Sequence, residues 1–308
     1  MNKLFITGAS GFIGSHVVRH ALSLHCQVAA LVMPGDPLRR LQDLAGRITL
    51  IPGDLEHPET YRSALSAWKP EVCIHLAWYA EPGKYLHAME NLSCLTGSLA
   101  LFQELIQIDC RHIVMAGTCA EYAIQNTPVH EDSPTDPSTL YAACKLSLNL
   151  VGRQLAAQAG VKFAWGRVFY LYGPYEDPRR VVPALIHSLS EGKPFAATSG
   201  EQVRDYLHVE DVASAFYRLA DQGAEGVFNI CSGEPITMRR LMEIIGNIMG
   251  HNELIRFGEA PARSWDPPFI CGNNSRLRKI EWQPCYTLRS GLEHTVAWRK
   301  NCDSDGGQ

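Results

Sequence analysis

The sequence predicts a doubly wound α/β fold, a parallel sheet covered on both faces by helices, with a smaller lobe toward the C-terminus. Three observations carry this expectation. Short β-branched runs alternate with helix-length amphipathic segments through the first half, as crossover helices between parallel strands require. The first such run passes through a glycine-rich turn straight into a helical segment. The chain has 308 residues, enough at ~150 residues per domain for two units or for one large unit with an appended lobe.

Taken in order, Lys3–Thr7 is a strand and Ile13–Leu24 the helix that leaves it. Gln27–Val32 and Thr49–Pro52 repeat the strand pattern, with Pro37–Ala45 between them predicted as a helix. A helix over Thr60–Trp68 leads to the strand Val72–Leu76, and the long periodic segment Met89–Ile108 to the strand Ile113–Ala116. The helix Tyr141–Gln158 and the strand Lys162–Arg167 complete a Rossmann-type sheet. After Pro174 the rhythm loosens, with helices predicted at Val182–Glu191, Glu210–Ala220, Met238–Met249 and Leu288–Arg299. The expected organisation is a dinucleotide-binding domain over 1–170 with return segments near 205–231, a smaller substrate lobe over 171–302, and a frayed tail at 303–308.

Composition narrows the function. Apolar residues make up 46% and charged ones 19%, with 28 Lys+Arg against 32 Asp+Glu. Usage is that of an ordinary globular chain, and the basic excess demanded by a phosphate backbone is missing, so nucleic acid is not an expected partner. No apolar run reaches ~18 residues and the chain starts Met-Asn-Lys directly into a strand, so neither a membrane nor export is expected, and the cytoplasm is the expected compartment. None of the ten cysteines has Cys-x-x-Cys spacing, which points to reduced, packed thiols rather than disulfides or a metal.

Gly8, Gly11 and Gly14 stand in Thr7-Gly8-Ala9-Ser10-Gly11-Phe12-Ile13-Gly14 between strand and helix. A dinucleotide diphosphate needs a tight turn, close backbone N–H groups and the positive end of a helix, and side chains at these positions would obstruct all three. Phe12 and Ile13 open that helix. At the second strand, preference for NAD usually needs a carboxylate at the strand end. Here the strand ends Leu31-Val32-Met33-Pro34; Asp36 lies farther on, and Arg39 and Arg40 could neutralise a 2′-phosphate. NADP(H) is therefore favoured, with NAD(H) open. Asp54 and Leu55, after the third strand, are placed for an adenine contact, with a turn cap the alternative for Asp54.

Tyr141 and Lys145 are four residues apart, one helical turn on one face. An ammonium beside a phenol stabilises phenolate and suits proton exchange with a sugar hydroxyl or carbonyl. Thr118 ends the fifth strand at the carboxyl edge of the sheet, where such folds bind ligands.

With these residues, the chain resembles the extended short-chain dehydrogenase/reductase family, in its nucleotide-sugar epimerase/dehydratase/reductase branch. Further marks are Ile74-His75-Leu76-Ala77, Tyr172-Gly173-Pro174, Arg204-Asp205-Tyr206 with Val209-Glu210-Asp211, and Asn229-Ile230-Cys231-Ser232-Gly233. The resemblance implies that Tyr141 is the general acid/base, that Lys145 lowers its pKa and binds the nicotinamide ribose, and that Thr118 hydrogen-bonds the reacting oxygen. It implies that Leu76 and Ala77 line the cofactor, that Arg204 and Arg263 grip a nucleotide diphosphate, and that Trp78, Glu81 and Glu121 stand where a sugar could touch them. It also implies a homodimer through Met89–Ile108 and Tyr141–Gln158. Three departures matter. Cys119 and Ala120 replace the Asp-Glu pair of the 4,6-dehydratases, which disfavours dehydration; Tyr170 and Cys94 replace asparagines frequent in 4-epimerases. The expected function is reduction of a nucleotide-linked 4-keto-6-deoxy sugar, the alternatives being an NAD-dependent 4-epimerase and a non-catalytic dinucleotide sensor.

Overall fold

Strands of nearly continuous apolar residues have no polar face to offer water, so they pair in the interior with helices over both faces. The computed structural model describes residues 1–261 and 266–304. Six strands follow one another to residue 168: β1 (Lys3–Thr7), β2 (Gln27–Val32), β3 (Thr49–Pro52), β4 (Val72–His75), β5 (His112–Thr118) and β6 (Lys162–Val168). Later strands are β7 (Tyr170–Tyr172), β8 (Phe195–Ala197), β9 (Val203–His208), β10 (Gly226–Ile230), β11 (Pro235–Thr237) and β12 (Ile255–Phe257). The helices are α1 (Phe12–Ser23), α2 (Arg62–Trp68), α3 (Glu90–Gln107), α4 (Leu140–Ala159), α5 (Val181–Ser190), α6 (Val209–Asp221), α7 (Met238–Met249), α8 (Ser275–Arg278) and α9 (Leu288–Ser304).

The main sheet is parallel throughout, in the order β10-β6-β5-β4-β1-β2-β3. The chain builds outward from β1 on one side, then returns to lay β4 on the other. That reversal opens a crevice past the carboxyl ends of β1 and β4, the place such sheets offer a ligand. One face of the sheet is buried under α1 and α6, through Val17, Val18, Val212 and Phe216; the other lies under α3 and α4, through Leu101, Phe102, Leu105 and Leu148.

The helix predicted at Pro37–Ala45 does not form. The chain turns through residues 34–40, Asp36 accepts the Leu38 N–H at 2.8 Å, and Leu38 takes a positive φ of 51°. A single 3₁₀ stretch, Gln42–Arg47, remains. The Asp36 carboxylate draws the backbone into a local turn at Leu38 N, and the left-handed Leu38 breaks the run of helical dihedrals that a first turn needs.

The lobe has its own core, in which Leu185, Leu189, Leu241, Ile245, Leu292 and Val296 bring together α5, α7 and α9. α6 and β10 return to the main sheet, whereas β9 joins β7 and β11 in a separate three-stranded sheet. Asp205 ties that sheet down. Fully buried, it accepts from Ser232 N and Oγ (2.7 Å each), Gly233 N (3.0 Å) and Gly272 N (3.2 Å). The predicted C-terminal helix runs on to Ser304, and 305–308 of the expected tail lie outside the described residues.

A histidine pair clips α9 to the rest. Donor atoms of His208, Glu210 and His294 lie within 4.8 Å of one another. Glu210 N donates to His208 Nδ1 (3.3 Å), so neutral His208 carries its proton on Nε2, facing His294 Nδ1 at 3.3 Å, while the Tyr286 hydroxyl donates to Glu210 (2.8 Å). A metal on His208 Nε2 would need the proton moved to Nδ1, against that N–H, so the set suits a hydrogen-bond chain better than a cation. Among the described residues no disulfide joins any of the cysteines. No described helix is long and apolar enough to cross a membrane.

Candidate active site

The glycine-rich turn is shaped by close contact. Gly8 has φ 66°, and a Cβ there would stand 2.7 Å from Ala77 N; one at Gly14 would collide with the Gly8 carbonyl. Gly11 N closes the turn on Gly8 O at 3.0 Å. α1 then starts at Phe12 with Gly11 as its cap and no side chain bonded to its first N–H groups. Phe12 and Ile13 thus begin a helix whose positive end is uncapped and reached over bare backbone, which fits a dinucleotide diphosphate. Leu76 and Ala77 press against Gly8, and Ala77 N is held by Thr7 Oγ1 at 3.2 Å. Thr7, His75 and Ser98 form a buried chain beneath (2.7 and 2.8 Å), and burial depresses His75 to about 3, so it stays neutral.

The two arginines after β2 part company. Arg39 is exposed, whereas half-buried Arg40 donates to Tyr175 O (3.1 Å) and Ser10 O (3.4 Å), which puts its charge at the glycine-rich loop. Asp36, farther along the sequence than a strand-end acid, comes back to accept from Ser10 Oγ at 2.6 Å. Asp54 caps its own turn by accepting Glu56 N at 3.0 Å, and Leu55 packs on the core with its carbonyl against Gly97.

Thr118, Tyr141 and Lys145 come together beside this cradle. α4 is started by Thr139, whose hydroxyl accepts Ala142 N, so Tyr141 lies in the first turn and Lys145 one turn on. Lys145 is 3% exposed, and its ammonium donates to Ala116 O at 2.8 Å. Burial pulls it down to about 7 from an ordinary lysine value, with Glu121 and Cys94 opposing. The Tyr141 ring meets Tyr85 edge-on at 4.9 Å and Trp78 at 6.4 Å. Burial raises the Tyr141 hydroxyl above its ordinary value and hydrogen bonding toward Thr118 draws it back, so it keeps its proton at neutral pH.

The residues expected to touch substrate are placed unequally. Glu121, expected at the sugar, is fully buried: its carboxylate takes Arg167 Nε (2.7 Å), Trp165 Nε1 (3.0 Å) and Thr118 N (2.9 Å). It is the underpinning of Thr118, not a sugar contact, because every direction of its carboxylate is already answered. Trp78 is half-buried, and its ring lies over Lys145. Arg204 is 2% exposed, pairs with Asp266 and lies over Tyr170 at 5.3 Å. Glu81 pairs with Arg179, which also holds Asp177. Tyr170 and Arg204 both lie near Cys119, the residue after Thr118. Arg263 lies outside the described residues.

Sequence reasoning missed several members. Gly117 has no room for a Cβ against Trp165, which lets that indole reach Glu121; a glycine inside a strand was the available signal. Arg167 answers Glu121 from the adjacent strand. Asn91 anchors Trp78, and nothing in the sequence marks it.

The model of the NAD dependent epimerase/dehydratase family matches residues 4–231. GDP-6-deoxy-D-mannose reductase of Pseudomonas aeruginosa is 28% identical, over 94% of this chain and 94% of its own. Among solved structures, UDP-glucose 4-epimerase of Thermotoga maritima with UDP-glucose matches at a TM-score of 0.88 and 25% identity, covering 98% of this chain and 99% of that one. UDP-glucose 4-epimerase of Thermus thermophilus in complex with NAD matches at a TM-score of 0.83 and 26% identity, covering 96% and 98%.

Proposed function

The chain belongs to the NAD dependent epimerase/dehydratase family, and from that premise we propose that it is a nicotinamide-dependent reductase of a nucleotide-linked 4-keto-6-deoxy sugar. The observation that carries this reading is the half-buried Tyr141, which keeps its proton beside buried Thr118 and Lys145. A phenol that holds its proton at neutral pH donates to a ketone oxygen as negative charge develops there, and Thr118 would hydrogen-bond the same oxygen. The bound nicotinamide would supply hydride to the carbonyl carbon. Gly8, Gly11 and Gly14 with the start of α1 would hold its diphosphate, and Lys145 its ribose. Dehydration is disfavoured because Cys119 and Ala120 offer neither an acid nor a base for eliminating water.

A second reading, a 4-epimerase that oxidises and re-reduces the same carbon, is supported by the likeness to two UDP-glucose 4-epimerases over nearly their full length. Purified protein incubated with a panel of nucleotide sugars and keto-sugars, with NADH or NADPH, separates the two. Net loss of nicotinamide absorbance with one reduced product supports the reductase, and sugar interconversion without cofactor loss the epimerase. Neither outcome would leave a dinucleotide sensor.

For the cofactor, NADP(H) is the proposal, carried by Arg39 and Arg40; Asp36 at Ser10 is the feature that serves NAD(H). The Arg39→Ala/Arg40→Ala variant is expected to lose most of its NADPH over NADH preference in kcat/KM. An unchanged ratio removes the arginines from cofactor selection.

A further inference from the structure

We propose that Trp78 is a positioning residue that holds Lys145 in its ammonium form against Tyr141, acting through the face of its indole ring. This role presupposes the catalytic reading of Tyr141 and Lys145 above and adds a residue to it. The Lys145 ammonium nitrogen lies 3.8 Å from the centroid of the Trp78 ring, with Ala116 O as its hydrogen-bond acceptor. An ammonium has three N–H donors. Ala116 takes one and the ring covers a face, which leaves a donor for a ribose or the Tyr141 oxygen.

Burial has removed the water that would otherwise stabilise this charge, and an aromatic face within ~6 Å replaces part of that stabilisation, more strongly as water is excluded. The other groups facing Lys145 are Glu121 after β5 and Cys94 on α3, which favour the charge, and neutral His75 on β4. Glu121 is already shared with Arg167, Trp165 and Thr118 N, so the indole is the neighbour with its stabilising face directed at the ammonium.

The ring is fixed in this pose. Its N–H donates to Asn91 Oδ1 at 2.8 Å, and fully buried Asn91 gives its amide protons to Tyr85 O (2.7 Å) and Ala88 O (2.8 Å). Those two acceptors dictate which way the Asn91 amide faces, so its oxygen must point at the indole. The backbone of residues 85–88 therefore sets the angle of the Trp78 ring, and the ring sets the position of the ammonium. Tyr141 joins the same assembly, since its N–H donates to Leu86 O at 3.1 Å and its ring meets Tyr85 and Trp78.

The test reads the charge of Lys145 without requiring turnover. The pH dependence of Lys145 acetylation by acetic anhydride, in which the neutral amine takes the acetyl group and acetate leaves, is followed in the intact protein by peptide mass spectrometry, using the midpoint rather than the extent. Burial already brings Lys145 to about 7. Loss of the ring is expected to lower it further in Trp78→Leu, by about half a pH unit or more, threefold in the ammonium equilibrium. Trp78→Phe, which keeps an aromatic face, is expected to stay near wild type. The alkaline limb of kcat/KM should move down with the midpoint in Trp78→Leu and recover in Trp78→Phe. A midpoint that stays or rises in a Trp78→Leu protein melting like wild type overturns the role, as does Trp78→Phe shifting as far as Trp78→Leu. Should Trp78→Leu not fold, Trp78→Met takes its place under the same criteria. If wild-type protein neither binds nicotinamide nor turns over, the catalytic reading fails, while the acylation midpoints still decide whether Trp78 sets the charge.

Discussion

Tyr141 and Lys145 carry the proposed chemistry, and their one-turn spacing made them visible in the sequence. Tyr141→Phe removes the proton donor and little volume. It is expected to cut kcat by ~10²–10⁴-fold while leaving NADPH affinity near wild type by fluorescence titration; loss of cofactor binding instead would make Tyr141 structural. Glu121 was visible only as an acid near the right place. Its burial against Arg167 and Trp165 depends on strand neighbours distant in sequence, and a charge so enclosed serves architecture. Arg167→Met should strand that carboxylate and cost on the order of 3–5 kcal/mol, read as a lower midpoint in urea unfolding. A stability loss within error would mean that the pair is not needed to hold Thr118.

The glycine-rich turn was legible as an element because strand, spacing and helix start coincide, and Gly8 and Gly14 indeed leave no space for side chains. In Gly14→Ala the new methyl meets the Gly8 carbonyl, so the turn must open, at ~1–3 kcal/mol for overpacking. The expected results are a lower melting temperature and at least about tenfold weaker NADPH binding; wild-type affinity would show that the turn does not form the cradle. The helix predicted at Pro37–Ala45 failed because local turn chemistry outweighed periodicity. The loop from Trp78 to Tyr85 has no regular pattern to read, and its pose comes from Asn91, Arg179 and Arg180 contacting Trp78, Glu81 and Tyr85.

At the scale of the molecule, α3 and α4 pack together on one face of the sheet and leave Leu92, Leu150 and Val151 exposed at 43%, 54% and 43%. Phe102 on α3 is spent on the core, as are parts of Leu95, Leu99 and Ile106. The residual patch is the basis for proposing a homodimer through these helices. Light scattering at micromolar concentration should give the mass of two chains, and Leu150→Glu with Leu92→Glu the mass of one; a wild-type monomer would end the proposal. The sequence by itself determined the parallel sheet, the glycine-rich turn and the Tyr141–Lys145 pair, because periodicity, turn sterics and helical spacing act between residues close in the chain. Only the tertiary structure decided that Glu121 supports Thr118, that Trp78 covers Lys145 and that Arg204 answers Asp266. Those outcomes depend on which distant groups share a low-dielectric space, and sequence spacing carries no record of that.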